Sequence, residues 1–159
     1  MTSSASNRPQ GVLFDTNVLS LFARVERLPL LLQAFANLHQ AKQIYISPTI
    51  QQELVRGIQN GAAYLQAALQ LVITGDLQTV YPSKADQQFI YSLPAKLAAG
   101  EAEAIALCYR LNLVFISHDR KAVNYCERVG IASIKLDVLL NRLRAAGLLT
   151  ETEIAKMLM

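Results

Sequence analysis

Gly11-Val12-Leu13-Phe14 has no polar side chain, and the run stops abruptly at Asp15-Thr16-Asn17. Short apolar runs bounded by cap or turn residues read as buried strands. Three similar runs follow. Ile44-Tyr45-Ile46 is stopped by Ser47-Pro48-Thr49, Val114-Phe115-Ile116-Ser117 by His118-Asp119, and Ile131 to Lys135 forms the last. Leu77 to Tyr81 is a weaker candidate. Helical patterns separate these runs, and continuous apolar strands alternating with helices imply a parallel sheet covered on both faces. The expected fold is therefore α/β: three layers, α/β/α and Rossmann-like, around a central parallel sheet of four or five strands.

The helices carry their own punctuation. Thr16 opens one through Phe22, and Leu28, Leu31, Phe35 and Leu38 share a face of the next. Thr49 and Gln52 are spaced as a capping box behind Pro48. Ser83 caps a helix through Ile90, and Gly100 precedes the strongest helical signal, EAEAIALCYRL. Gly130 stands just past a helix ending at Val129. Asp137 is expected to cap a helix through Ala146, and Thr150 with Glu153 to cap the last one.

With 159 residues, one domain is expected: a flexible tail over residues 1–10 and a single domain over 11–159. The chain is 52% hydrophobic and 17% charged, which excludes global disorder. Fifteen Lys and Arg against twelve Asp and Glu leave a net charge of +3, mildly basic and compatible with nucleic acid. The uncharged stretch from Gly57 to Gly75 contains Gln59, Asn60, Gln66 and Gln70, which are costly in hydrocarbon. Its Tyr64, Ala67, Ala68 and Leu71 fall on one helical face, so no membrane contact is expected and the protein reads as cytoplasmic. Cys108 and Cys126 lie in apolar helical segments without metal-ligand spacing and read as buried thiols. The leucine-rich segments Leu28–Leu38 and Leu139–Leu149 fit either the core or a homodimer interface.

Ligands of open α/β sheets bind outside the carboxyl ends of the strands. Asp15 ends the first apolar run, and Asp119 lies two residues past Ser117. Glu53 is in the first turns of the helix after Ile44–Ile46, and Glu101 starts the helix leading to Val114. Each has a plain structural reading: Asp15 and Asp119 as helix N-caps, Glu53 and Glu101 as partners of helix dipoles. Together they ask for more. Two carboxylates 4 Å apart repel by about 4 kcal/mol at an effective dielectric near 20, so gathering four requires a cation or shared protons. Oxygen-only ligands select Mg²⁺ or Mn²⁺ over zinc.

Phe14-Asp15-Thr16-Asn17, the Glu53 helix, Gly100-Glu101-Ala102-Glu103-Ala104-Ile105-Ala106-Leu107 and Ile116-Ser117-His118-Asp119 together resemble the PIN-domain ribonucleases, from Gly11 to about Leu149. The GEAEAIAL form and the Arg-Lys pair after Asp119 look like a small prokaryotic subgroup related to the toxin nucleases of toxin–antitoxin pairs. The resemblance implies that Asp15, Glu53, Glu101 and Asp119 form a catalytic Mg²⁺ or Mn²⁺ site, supported by Thr16, Asn17 and Ser117. It implies a metal-dependent endoribonuclease acting on an RNA substrate, with an antitoxin-like protein as a candidate partner. Glu103, two residues beyond Glu101, is turned about 200° away on a helix and reads as a surface residue. No acidic residue follows Asp119 in Arg120-Lys121-Ala122-Val123-Asn124, which argues against a complete second metal site.

Metal-activated water would be the nucleophile in such a site. Arg120 and Lys121 suit phosphate contacts. His118 reads as a turn residue and His39 as surface or core filler. Tyr64, Tyr91 and Tyr125 are isolated and build no stacking platform. A haloacid-dehalogenase-like phosphatase would need a second Asp where Asn17 stands, a receiver domain an acidic pair near the first strand, and a dinucleotide-binding domain GxGxxG in place of DTNVLS. The alternative from another class is a catalytically inactive PIN-like module that binds nucleic acid or protein. Retention of all four carboxylates speaks against it.

Overall fold

The computed structural model describes residues 9–38 and 43–159, without the side chains of residues 36–38. The expected tail falls almost wholly outside these residues, as does His39. So does the side chain of Leu38.

The order of elements is β1 (Gly11–Phe14), α1 (Thr16–Arg24), α2 (Leu28–Leu38), β2 (Ile44–Ile46), α3 (Pro48–Gln59), a 3-10 turn (Ala63–Leu65), α4 (Gln66–Thr74), β3 (Gln78–Thr79), α5 (Lys84–Tyr91), α6 (Ala99–Leu111), β4 (Leu113–Ser117), α7 (Arg120–Val129), β5 (Ser133–Lys135), α8 (Leu136–Ala145) and α9 (Glu151–Leu158). The five strands form one sheet in the order β3-β2-β1-β4-β5, with every pairing parallel. Helices cover both faces, giving the expected three-layer α/β/α fold. All of β1 is buried, as a central parallel strand must be.

Strand order reverses at β1. The chain steps outward to β2 and β3 on one side, then returns to place β4 against the other, with Leu13 opposite Phe115 and Phe14 opposite Ile116. The Asp15 amide donates to the Ile116 carbonyl at 3.0 Å, carrying the pairing one residue past the strand. Asp15 and the end of β4 are thereby locked together at the switch point where α/β folds place ligands.

The core continues beneath this point. Phe14 is fully buried and meets Phe35 edge-to-face, ring centroids 5.3 Å apart. Cys108 and Cys126 are buried free thiols. Among the described residues, no helix is long and apolar enough to cross a membrane.

Some local expectations need correction. The cap of α3 is Ser47, whose Oγ accepts from the Ile50 amide at 3.2 Å, so Thr49 and Gln52 are not its capping pair. Asp137 lies inside the first turn of α8 and accepts from the Val138 amide, with Lys135 at the cap position. Of the face expected through Tyr64, Ala67, Ala68 and Leu71, Ala68 is buried and Leu71 packs on the core, whereas Tyr64 and Ala67 are exposed and Leu65 is buried in their place. The chain breaks phase at Gly61, where φ is +105°, and a new helix starts from a different rotation.

Candidate functional site

Four helix starts meet at the carboxyl rim of the sheet, and each contributes one of the expected acidic residues. Asp15 precedes α1, Glu53 lies in the second turn of α3, Glu101 in the first turn of α6, and Asp119 caps α7. The starts of α3 and α6 approach closely: a Cβ on Gly100 would sit 3.1 Å from the Thr49 methyl and 4.0 Å from Glu53 Oε2. Glycine at 100 therefore lets Glu53 and Glu101 share the rim.

The carboxylates meet protein donors. Asp15 Oδ1 accepts from the Thr16 amide at 2.7 Å, and its Oδ2 from Ser117 Oγ at 2.9 Å. Ser117, fully buried, also accepts from the Asp119 amide at 3.0 Å, so one hydroxyl ties β1 to the β4–α7 turn. Glu53 Oε1 accepts from the Thr16 hydroxyl. Glu101 Oε1 reaches back to the Ala98 amide at 3.0 Å, while Asp119 Oδ1 takes the Lys121 and Ala122 amides at 2.8 and 3.3 Å. Glu103, expected on the surface, is half-buried and accepts from the Thr49 amide at 3.1 Å. Asn17, His118, Arg120 and Lys121 are exposed.

Burial pushes the Glu101 carboxyl up to about 7, reinforced by its hydrogen bond to Asp119 and the nearby charges of Asp119 and Asp15. The same hydrogen bond, followed by the Ala122 and Lys121 amides and the Lys121 ammonium, holds Asp119 below its ordinary value. Burial also raises Asp15, against the opposing bonds from Ser117 and Thr16. Within this pair Glu101 is the carboxyl whose protonated form is favoured, and Asp119 the one whose charged form is. A shared proton between Glu101 and Asp119 relieves part of the repulsion at this rim.

A metal site does not form. Among the described residues, no group of three or more His, Cys, Asp or Glu side chains is arranged to hold a metal ion. Each carboxylate is drawn to its own donors, Asp15 to Thr16 and Ser117, Glu53 to Thr16, and Glu101 to Ala98 and Asp119. This overturns the expectation of an Mg²⁺ or Mn²⁺ cofactor and, with it, that of a metal-dependent endoribonuclease or any other hydrolase relying on that metal.

The proton on Glu101 has a consequence for stability. A carboxyl raised on folding binds more protons in the folded state, so stability falls as pH rises from its ordinary value of 4.5 to about 7. Raised Asp15 adds to the fall, whereas lowered Asp119 acts oppositely, its contribution being lost as pH drops below its ordinary value of 3.8. Glu101→Gln keeps an N–H donor toward Asp119 and removes the titration. Denaturant melts at about pH 5 and about pH 8 should show a smaller loss of stability in Glu101→Gln than in the wild type. An identical loss in both proteins would contradict the shared proton.

The chain matches, over residues 11–159, a family described as "DUF3368: PIN domain". It belongs to this PIN-domain family. Among solved structures it is similar to "a domain of a functionally unknown protein from Methanocaldococcus jannaschii DSM 2661", at 16% identity and a TM-score of 0.50. The match covers 80% of this chain and 91% of that one and shows a shared fold. No curated protein matches the chain.

Proposed function

We propose that this protein is a catalytically inactive PIN-fold binding module whose acidic rim receives a cationic side chain of a protein partner. The supporting observation is that no rim carboxylate is in an ion pair. The ion pairs among the described residues are Arg27–Glu153, Arg110–Asp86 and Arg144–Glu151, and none involves Asp15, Glu53, Glu101 or Asp119. A rim with four carboxyl groups, none in an ion pair and with only the Lys121 ammonium acting on Asp119 from nearby, is complementary to a cation supplied from outside. A guanidinium suits it best, because its planar fork of donors matches carboxylate oxygens two at a time. A phosphodiester backbone would meet like charge at the same place. Thr16, Asn17 and Ser117 stand beside the carboxylates, the first and last orienting them, and Arg120 and Lys121 flank the rim as charges that steer the partner's orientation. An antitoxin-like protein presenting an arginine is a partner of this chemistry.

The test is fluorescence anisotropy with labelled oligo-arginine peptide and labelled single-stranded RNA, on the wild type and on Asp15→Asn/Glu53→Gln. Peptide affinity should fall about tenfold, or about 1.4 kcal/mol, in the double variant. Peptide affinity unaffected by the substitutions, or RNA affinity that depends on these carboxylates, would refute the reading.

A further inference from the structure

A second concave site lies beyond the rim, between the outer face of α3 and the segment after β3. Pro48, Gln51, Gln52, Val55, Arg56 and Tyr81 line most of this groove, which encloses about 390 Å³, within the range of small-ligand pockets. From this chemistry we infer that the groove binds a nucleotide, with adenine the base best matched.

Three features converge on that class of ligand. Arg56 is the one charged lining residue and, among the described residues, its guanidinium has no ion pair or hydrogen bond, so the groove favours an anion. Gln51 Oε1 accepts from Thr79 Oγ1 at 2.7 Å, which fixes the amide and leaves its NH₂ group as a donor. Gln52, exposed beside it, offers both a donor and an acceptor, the pair that matches the N6 and N7 edge of adenine. Tyr81 is 67% exposed, a ring face open to stacking, while Pro48 and Val55 supply apolar surface.

The groove is pre-built. The Val80 amide donates to the Ile46 carbonyl at 3.0 Å, and Arg110 Nη2 to the Tyr81 carbonyl at 3.3 Å. Arg110 is itself anchored by Nε to the buried Asp86 carboxylate at 2.7 Å. The backbone presenting Tyr81 is therefore tied to both β2 and α6, so little ordering is needed on binding.

Calorimetric titration with AMP, adenosine and a short oligoadenylate tests the assignment on the whole chain. AMP should bind, and Arg56→Gln should weaken it about tenfold while leaving adenosine unchanged. Tyr81→Ala should weaken both by a similar factor. Both positions are exposed, and unchanged melting temperatures will confirm the folds of the variants. Oligoadenylate binding much tighter than AMP would assign the groove to a nucleic-acid strand, and equal affinity to a free nucleotide. No heat with any of the three ligands, or binding indifferent to both substitutions, overturns the inference. The peptide assay on the rim is independent of these residues, so the two readings fail separately.

Discussion

Phe14→Ala should lower the stability of the folded chain by about 4 kcal/mol, the largest single effect expected here. The side chain is fully buried at the end of the central strand and packs edge-to-face on Phe35. Truncation removes the transfer free energy of a ring and leaves a cavity between β1 and α2, which the paired strands on either side cannot close. For a chain of this length the melting temperature should drop by about 8–16 °C. Phe14 also sets the backbone from which Asp15 projects, so part of the loss should appear as a loosened rim. Thermal unfolding at fixed pH checks this, and a change below about 1 kcal/mol would mean that the ring is not packed as described.

Ser117→Ala should cost about 2 kcal/mol, more than a surface hydroxyl would. One buried Oγ donates to Asp15 Oδ2 and accepts from the Asp119 amide. Alanine leaves both without a partner, and an unsatisfied buried group costs more than its bond contributed. The Ser117 bond also opposes the raised state of Asp15, so its loss should push the Asp15 carboxyl further up. In the variant, stability should fall more steeply with rising pH above the ordinary value of 3.8. Chemical denaturation at several pH values measures both effects. A near-neutral change with an unaltered pH slope would show that Ser117 does not join the two turns.

Much of the fold is legible in the residues, for a physical reason. Gly11–Phe14 and Val114–Ser117 are apolar without alternation because both faces of a central parallel strand are buried. Gly130 and the Thr150–Glu153 pair announce helix ends through local backbone chemistry, and the structure shows both. Where signals compete within a few residues, the sequence misleads. Thr49 has the capping-box spacing, but Pro48 takes the first helical position of α3 and the residue before it, Ser47, is the cap. β3 shrinks to two residues because it is an edge strand with little apolar pattern of its own.

The site divides in the same way. That Asp15, Glu53, Glu101 and Asp119 stand at one rim follows from strand ends and helix starts. Whether they converge on one point depends on side-chain direction, and for Asp15 and Glu53 that is set in part by donors far away in the chain. Thr16 draws Glu53, Ser117 draws Asp15, and Glu101 is drawn by Ala98 and bonded to Asp119. The groove at Arg56 and Tyr81 has no motif at all, since Tyr81 reaches α3 only through sheet pairing and the Arg110–Asp86 anchor.

The most direct test of the central claim, a rim that takes an external cationic side chain and builds no metal centre, is titration with Mn²⁺ followed by calorimetry and thermal unfolding. The account predicts no saturable heat, and no gain in melting temperature that Asp15→Asn or Glu101→Gln would abolish. Stoichiometric Mn²⁺ binding, with about 2.7 kcal/mol of added stability at a hundredfold excess over its dissociation constant and lost in both variants, would contradict it.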